Sequence, residues 1–559
     1  MKLEFIKDEQ LTFLREGSYI LDNETPQQRF GEIVAKVREY EHLYQDGLGD
    51  LIEYMIDENI LSLSTPVIAN FGRKDSKALP ASCYIVTNGN SIADIYYSLG
   101  SVAMASKLGG GVGSDFQLVA QKDTFVEEGF FTNSKLDWIE DQVSAGQKVS
   151  QGAKRRGYNT PFISIMDNDF DELMRRVDKK NTDKNDPLVN NTVGIILPKG
   201  FRDLLETDKE AKRRYLKVLK ARMETGNVYL LDTDNCMKNN SPVYAKLGFD
   251  TWTTNICSEF IQPTFPQYTS ICVISALNAT KWDMITPEMI KAAFMFLDIV
   301  NEEYIRLSEG VPFLEKANRS AKEKRDIGLG LLGLAELFQM KGFAYGDLGS
   351  RRLNKEIFST IRYFGEQYAY EIGLKLGSPK ICQDAGMVRR NASLMMTAPN
   401  KSTSFLSGVT SGGREPFMSN LFIKSLAKIQ HVFKNKHLEK LLESKGKNTI
   451  EVWQSIQDNN GSVQHLDFLS KDEKDVFRTF AEISPKDLID LAADAQEYVD
   501  MGQSLNLIKR KNYTLQDIYD IHKYGWERGI KTFYYLYSSA HAAIETDGEK
   551  WNECVSCAD

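Results

Sequence analysis

The sequence predicts an α/β fold, and three observations carry that reading. From about residue 61 onward, short apolar runs alternate with longer runs of helix formers. The short runs "SCYIV" (82–86), "TVGIILP" (192–198), "NVYLL" (227–231), "SICVISAL" (270–277), "SLMMTA" (393–398) and "TFYYLY" (532–537) are rich in β-branched and aromatic residues. The intervening stretches at 92–107, 209–224, 286–308 and 351–376 have helical length and composition.

The elements divide into three regions. Residues 1–60 predict a helical N-terminal region. Thr25-Pro26 is its start signal, since proline is tolerated in the first helical turn, where its missing N–H leaves no bond unmade. Residues 61–545 form the main α/β body, with polar and mostly helical additions around 418–530 and a Gly/Lys/Asn-rich break near 444–449. Residues 546–559, "TDGEKWNECVSCAD", have too little apolar content to pack and predict a flexible tail.

Composition excludes several function classes. The chain is 42% hydrophobic and 26% charged, ordinary for a soluble globular protein. A net charge of −8 argues against a general nucleic-acid binder, while leaving room for a local basic pocket. No apolar run reaches membrane-spanning length. The charges in "MKLEFIKDEQ" interrupt any secretory signal, so a cytoplasmic protein is expected. Seven cysteines are too few for a disulfide scaffold, and six histidines include no HExxH and no pair at ligand spacing. No metal is expected on this chain.

"TTNICSEF" (253–260) places Asn255, Cys257 and Glu259 at alternate positions. If extended, an amide, a thiol and a carboxylate share one side; the bland alternative is a small buried cysteine between polar neighbours. "CVSC" puts Cys554 and Cys557 at CxxC spacing, which suits a thiol–disulfide shuttle or half of a zinc site. A shuttle needs an internal disulfide, from among Cys83, Cys236, Cys257, Cys272 and Cys382. "RDIGLGLLGL" matches GxGxxG at Gly328, Gly330 and Gly333, but a charged helix-like run precedes it where a dinucleotide site needs a strand. Close helix packing or a tight turn is the expectation there. "APNKSTSFLSG" (398–408) follows a β-like run with hydroxyls and backbone suited to a phosphate, or is an ordinary capping loop. The glycines of "KLGGGVGSD" (107–115) would let backbone approach a ligand. Tyr534 and Tyr535 in one strand would face opposite sides.

Taken together and in this order, the motifs resemble the large (α, catalytic) subunit of class I ribonucleotide reductase. They are "SYILDNETPQQRF" (18–30), "LSTP" (63–66), "SC" (82–83), "GGVG" (110–113), "NICSE" (255–259), "CVISALN" (272–278), "RDIGLGLLGL" (325–334), "PNKSTS" (399–404), "KTFYY" (531–535) and "CVSC" (554–557). The resemblance implies a ten-stranded α/β barrel of two antiparallel-related five-stranded halves, with Cys257 on a finger loop inside. It implies reduction of ribonucleoside diphosphates to deoxyribonucleotides. Cys257 would be the thiyl radical, Glu259 the base at the 3′-OH, and Asn255 the group holding the sugar hydroxyls. Cys83 and Cys272 would supply the electrons and form a disulfide. Cys554 and Cys557 would re-reduce it with thioredoxin or glutaredoxin. Thr65, Ser82, Gly111, Ser402, Thr403 and Ser404 would seat the substrate. Tyr534 and Tyr535 would carry the radical from a separate ferritin-like small (β) subunit that holds the radical cofactor, with Tyr535 nearer Cys257.

The sequence departs from the family in two places. Only about 64 residues precede Thr65, too few for the N-terminal ATP-cone many members carry. "NGNSIADI" (88–95) matches the effector segment, giving Asn90, Ser91 and Ile92 as dNTP or ATP effector contacts, but Asn90 stands where Asp is common. No arginine lies between 111 and 134, and "SQGAKRRGYN" (150–159) fits the second, communicating loop. A homodimer or an effector-dependent monomer–dimer exchange is the expectation. The alternatives are an adenosylcobalamin-dependent reductase, which needs no tyrosine pair, a non-catalytic nucleotide-binding regulator with the same barrel, and a plain dithiol oxidoreductase.

Overall fold

The computed structural model describes residues 1–538 apart from 75–77, 123, 128–129, 132–133, 152–154, 179, 190 and 427–428. Cys554 and Cys557 lie outside the described residues. Among the described residues, no helix is long and apolar enough to cross a membrane.

Five strands, Cys83–Thr87, Gly111–Asp115, Asn159–Ser164, Val193–Leu197 and Val228–Asp232, pair in parallel and in chain order. Parallel neighbours need long crossovers, and the helices Ile92–Lys107, Lys135–Lys148, Phe170–Arg176, Phe201–Thr207 and Lys209–Thr225 supply them. The second half repeats the plan with shorter pairings. Ile274–Asn278 pairs in parallel with Gly328–Leu332. Bridges Leu329↔Met395 and Thr397↔Gln503 continue the ladder, and Leu507–Lys509 pairs in parallel with Leu536–Ser538. The halves meet antiparallel at both edges, through Cys272↔Cys83 and Leu231↔Thr532. Ten staves therefore close into a barrel, and closure removes the exposed edges an open sheet would carry.

Three predicted strands differ from expectation. "SICVISAL" is two strands broken at Val273, because Thr269–Cys272 pairs with the Cys83 strand while Ile274–Asn278 turns to Gly328–Leu332. "SLMMTA" makes only the two bridges. "TFYYLY" is interrupted at Tyr534 and Tyr535. The glycines of the GxGxxG match serve strand packing rather than helix packing. Gly328 and Gly330 lie in a strand against Met396, and Gly333, at φ +76°, makes the turn into Leu334–Met340.

The wall strands are buried throughout, and successive residues join two different clusters with a period of two. Cys83, Ile85, Phe162, Ile196, Tyr229 and Leu231 belong to a cluster inside the barrel. Tyr84, Val86, Ile163, Ile195, Val228 and Leu230 face the surrounding helices. Strands buried on both faces read as unbroken apolar runs, which is why they were visible in sequence. Outside, Pro26–Tyr44 and Leu48–Asp57 pack on the central helix Pro287–Ser308. Thr25 caps the first of these, accepting from Gln28 N at 3.2 Å. The region 418–530 holds the helices Lys436–Ser444, Ile450–Asp458, Lys471–Val476, Pro485–Gln496 and Leu515–Glu527, and also an unanticipated hairpin, Leu421–Leu426 with Ile429–Lys434.

The barrel is filled by its own chain. Trp252–Thr254 and Ile261–Pro263 form an antiparallel hairpin whose connecting loop, 255–260, sits in the interior cluster. Gly113 makes room for it: a Cβ there would lie 2.5 Å from Thr254 O and 3.1 Å from Asn255 Cα. Gly113→Ala is expected to lower stability by about 1–3 kcal/mol through overpacking against backbone. Gly31→Ala, in a helix with nothing within 4 Å of the added methyl, is expected to raise it by roughly 0.5–1 kcal/mol. Denaturant midpoints of the two variants check both signs.

Candidate active site

The finger loop is a turn and not an extended strand. Ser258, at φ +66°, donates its backbone N–H to Asn255 O at 3.2 Å. Asn255 Nδ2 donates to Glu259 Oε1 at 2.9 Å, and Phe260 N donates to Asn255 Oδ1 at 3.1 Å. Asn255, Cys257 and Glu259 do converge, but a turn brings them together instead of strand alternation. All three are at most 1% exposed.

The C-terminal part of the barrel clamps this loop from the far side. Ser504 Oγ lies 2.7 Å from Cys257 O and 3.0 Å from Glu259 Oε2. Gly502 N donates to Glu259 O at 2.7 Å, and Thr532 Oγ1 donates to Ser258 O at 2.8 Å. Lys531 is buried nearby, its Nζ donating to Asp500 O and Met501 O at 2.8 and 2.7 Å. Burial lowers its pKa to about 8. No motif marked Ser504; only the fold reveals it.

Cys83 and Cys272 are direct cross-strand partners. Such pairs have Cα atoms about 4.5–5.5 Å apart, inside the range a disulfide spans. Both thiols are buried and neither is in a disulfide, and Cys272 Sγ rests 3.9 Å from Met396 Sδ. Cys83 is also the immediate neighbour of Cys257. The five internal cysteines thus separate. Cys83, Cys257 and Cys272 form one group, while Cys236 lies toward Lys531 and Asp232, and Cys382 toward Arg389 and Asp326.

Burial biases Cys257, Cys272 and Glu259 toward their neutral forms. The hydrogen bond between Cys257 and Cys83, then burial, then the nearby Glu259 carboxylate hold Cys257 well above the ordinary thiol range. Burial does the same to Cys272. Burial pushes Glu259 up to about 7, while hydrogen bonds from Asn255 and Ser504 pull it back.

The tyrosines reach the same point. Tyr534 is the direct neighbour of Cys257, and burial raises its phenol well above the usual value. Tyr535 packs behind it with ring centroids 4.2 Å apart and planes tilted by 52°, so Tyr534, not Tyr535, is the residue nearer Cys257. Both rings share a side because the strand is interrupted here. Tyr535 N donates to the Asn506 side chain at 3.0 Å in place of a ladder partner, and Asn506 is held in turn by Glu415. Tyr229 packs on both rings, at 4.6 and 5.2 Å. Its signal in sequence was an aromatic on the inward phase of an aliphatic strand.

The predicted substrate residues lie on four segments of the chain. Ser82 N donates to Cys272 O at 3.2 Å, and the Ser82 hydroxyl is buried without a hydrogen-bond partner. Gly111 is registered with Cys83, but its N–H is engaged by Ser82 O, and its missing side chain makes way for Ile256. The approach the glycines permit is thus by the protein's own loop. Thr65 opens the helix Thr65–Asn70, and Ser402, Thr403 and Ser404 lie on Lys401–Leu406; all four are buried. Asn90, Ser91 and Ile92 lie beyond the opposite end of the Cys83–Thr87 strand. Asn90 Oδ1 accepts from Ala120 N at 2.7 Å, Ser91 caps the helix Ile92–Lys107, and Ile92 is 58% exposed.

A closed barrel of two five-stranded halves around a cysteine-tipped hairpin is a specific architecture. The sequence profile of the ribonucleotide reductase barrel domain matches residues 81–216, 210–380 and 382–536. The chain belongs to the ribonucleotide reductase family. Among family proteins, it is 32% identical over 364 residues to the ribonucleoside-diphosphate reductase large subunit of Invertebrate iridescent virus 3, covering 62% of this chain. It is 34% identical over 331 residues to that of Invertebrate iridescent virus 6, covering 58% of this chain. The chain spans 57% of the first relative and 34% of the second. The solved Actinobacillus ureae class Id ribonucleotide reductase alpha subunit superimposes with a TM-score of 0.86 at 30% identity, covering 97% of this chain and 98% of that one.

Glu259 gives this reductase-family site a measurable pH signature. Its folded carboxyl keeps its proton up to about pH 7, whereas an unfolded one loses it near 4.5. The folded state binds more protons between these values, so stability falls as pH rises through that window. Glu259→Gln should remove this slope from denaturation curves. Ser504→Ala should move the Glu259 ionisation further up and cost about 0.5–1.5 kcal/mol for the lost hydrogen bond; urea titrations across pH measure both.

Proposed function

We propose that this chain is the α subunit of a class I ribonucleoside-diphosphate reductase. The observation that carries the reading is the convergence of Cys257, Cys83, Cys272, Glu259 and Tyr534 at the finger-loop tip. Each group suits a step in replacing a ribose 2′-hydroxyl with hydrogen.

In the proposed reaction the Tyr534 phenoxyl radical, formed by an oxidant on the small subunit, takes a hydrogen atom from the Cys257 thiol, restoring the phenol and leaving a thiyl radical. The raised thiol pKa favours this, because a hydrogen atom is abstracted from S–H and not from a thiolate. The thiyl removes the 3′-hydrogen of the sugar, and Glu259 accepts the 3′-OH proton. With Asn255 bonded to its other oxygen, Glu259 is positioned as a general base whose pKa lies near working pH. The 2′-hydroxyl leaves as water, protonated by one thiol of the Cys83–Cys272 pair, and the hydrogen of the other thiol goes to C2′, so the pair gives up two electrons and becomes a disulfide. Glu259 returns the proton to the 3′-oxygen and Cys257 returns a hydrogen to C3′, which regenerates the thiyl. The buried hydroxyl of Ser82, with Thr65 and the 402–404 hydroxyls, supports a seat for the diphosphate.

The separate small subunit as radical source, and thioredoxin or glutaredoxin acting through Cys554 and Cys557, complete the cycle in this reading. A dNTP or ATP effector at Asn90, Ser91 and Ile92, with the accompanying change of oligomeric state, belongs to the same proposal.

Turnover measured with the cognate small subunit, with adenosylcobalamin, or with neither decides the class, and only the first should support it. Cys257→Ser should abolish deoxynucleotide formation with nucleotide binding retained, and retained turnover would sink the thiyl assignment. Glu259→Gln should lower kcat by roughly 10²–10⁴-fold. Replacing both tail cysteines with serine should allow one round per prereduced enzyme and stop further turnover with thioredoxin.

A further inference from the structure

The row of rings continues past Tyr535. Tyr537 stacks on Tyr535 with centroids 5.7 Å apart and planes 19° from parallel. The two are i and i+2 around the start of Leu536–Ser538, so they share a side while Leu536 turns into the core. Pairing of Tyr537 with Ile508 fixes its backbone. Lys401 Nζ donates to the Tyr537 hydroxyl at 3.0 Å and lies 5.3 Å from its ring centroid. Exposure grows along the row: Tyr534 is 1% exposed, whereas Tyr535 and Tyr537 are partly exposed. Tyr229 touches the row but is fully buried, so it offers no route outward.

We propose that Tyr537 is a third, outer member of the tyrosine relay and that Lys401 holds its phenol in line. This rests on the reading of Tyr534 and Tyr535 as radical carriers. The oxidant is a one-electron acceptor on the small subunit, an oxidised metal centre or an organic radical. It takes one electron from Tyr537, whose phenolic proton leaves to solvent or to a base on that subunit. The Lys401 ammonium donates to the phenol oxygen and cannot be the acceptor. The Tyr537 radical then takes one electron and one proton from Tyr535, Tyr535 takes the same from Tyr534, and Tyr534 takes them from the Cys257 S–H. Each step breaks one X–H bond and forms one O–H bond. All three phenols are restored and the thiyl remains.

Because Lys401 opens the helix carrying Ser402, Thr403 and Ser404, the outer ring is tied to the proposed substrate seat. Entry of the radical and occupancy of that seat are therefore linked by one side chain.

The test compares Tyr534→Phe, Tyr535→Phe and Tyr537→Phe in the full chain with its cognate small subunit. Tyr537→Phe keeps the ring stack and removes the O–H. It should lose turnover to the level of Tyr535→Phe while substrate affinity and the titration of Cys83 and Cys272 stay unchanged. In a second measurement, 3-aminotyrosine at 537 should give an electron paramagnetic resonance signal only when small subunit and substrate are both present. If Tyr534→Phe and Tyr535→Phe are inactive while Tyr537→Phe turns over normally, the outer member is wrong and the inner relay stands. An inactive Tyr537→Phe without a trapped radical at 537 would make the residue structural and overturn the proposal. Active Tyr534→Phe and Tyr535→Phe would remove the relay reading itself.

Discussion

The finger hairpin enters the barrel only where the walls have no side chains to stop it. Gly111 and Gly113 clear one wall for Ile256, Thr254 and Asn255, and Gly502 clears the other for Ser258 and Glu259. With the walls cleared, backbone can hold backbone, and Gly502 N bonds directly to Glu259 O. A Cβ at any of these positions would push the loop away from the Cys83–Cys272 pair. The chemistry requires the thiols to be adjacent, so the glycines determine the site as firmly as the cysteines do.

Filling the barrel with protein also dries it. Five groups at the centre respond in the same direction, toward the neutral form. Cys257 and Cys272 are raised, Glu259 is held near 7, and the Tyr534 and Tyr535 phenols are raised. An ionised group without a partner would be costly here. The proposed hydrogen-atom transfer moves no net charge, so a dry neutral interior would suit it. In the same proposal proton transfer to Glu259 is the exception, and Glu259 has hydrogen bonds from both Asn255 and Ser504 to receive the charge.

Much of this was legible in the sequence, for physical reasons. Strands buried on both faces announce themselves as apolar runs, and Thr25-Pro26 announces a helix start. The residue set Asn255, Cys257 and Glu259 was recognisable only through the family resemblance of the surrounding motifs; its spacing alone left an ordinary buried cysteine open. Two things were not legible. The first is long-range register: nothing local says that Cys83 opposes Cys272, since that depends on which staves close the barrel. The second is local backbone where tertiary contacts override periodicity. Alternation would bring Asn255, Cys257 and Glu259 to one side only if 255–259 were extended, and it predicted opposed faces for Tyr534 and Tyr535. A left-handed Ser258 and the Asn506 side chain changed both outcomes. Ser504 was invisible because a single serine between Gln503 and Leu505 carries no pattern at all.

The clamp and the tyrosines belong to one stretch of backbone. Thr532 holds the finger loop at Ser258, and two residues later Tyr534 meets Cys257. Tyr534 N in turn donates to Leu505 O, next to Ser504, which holds Cys257 O. The thiol is thus fixed from behind by the same two segments that present the phenol to it. A shift of either segment would move donor and acceptor together, preserving their contact. The proposed hydrogen transfer would depend steeply on that contact, and this fold builds both sides of it from a single hydrogen-bonded unit. The outer rings are tied to other segments: Tyr535 is held through Asn506 and Tyr537 through Lys401 and the pairing with Ile508, so each ring of the row is fixed by its own hydrogen bonds.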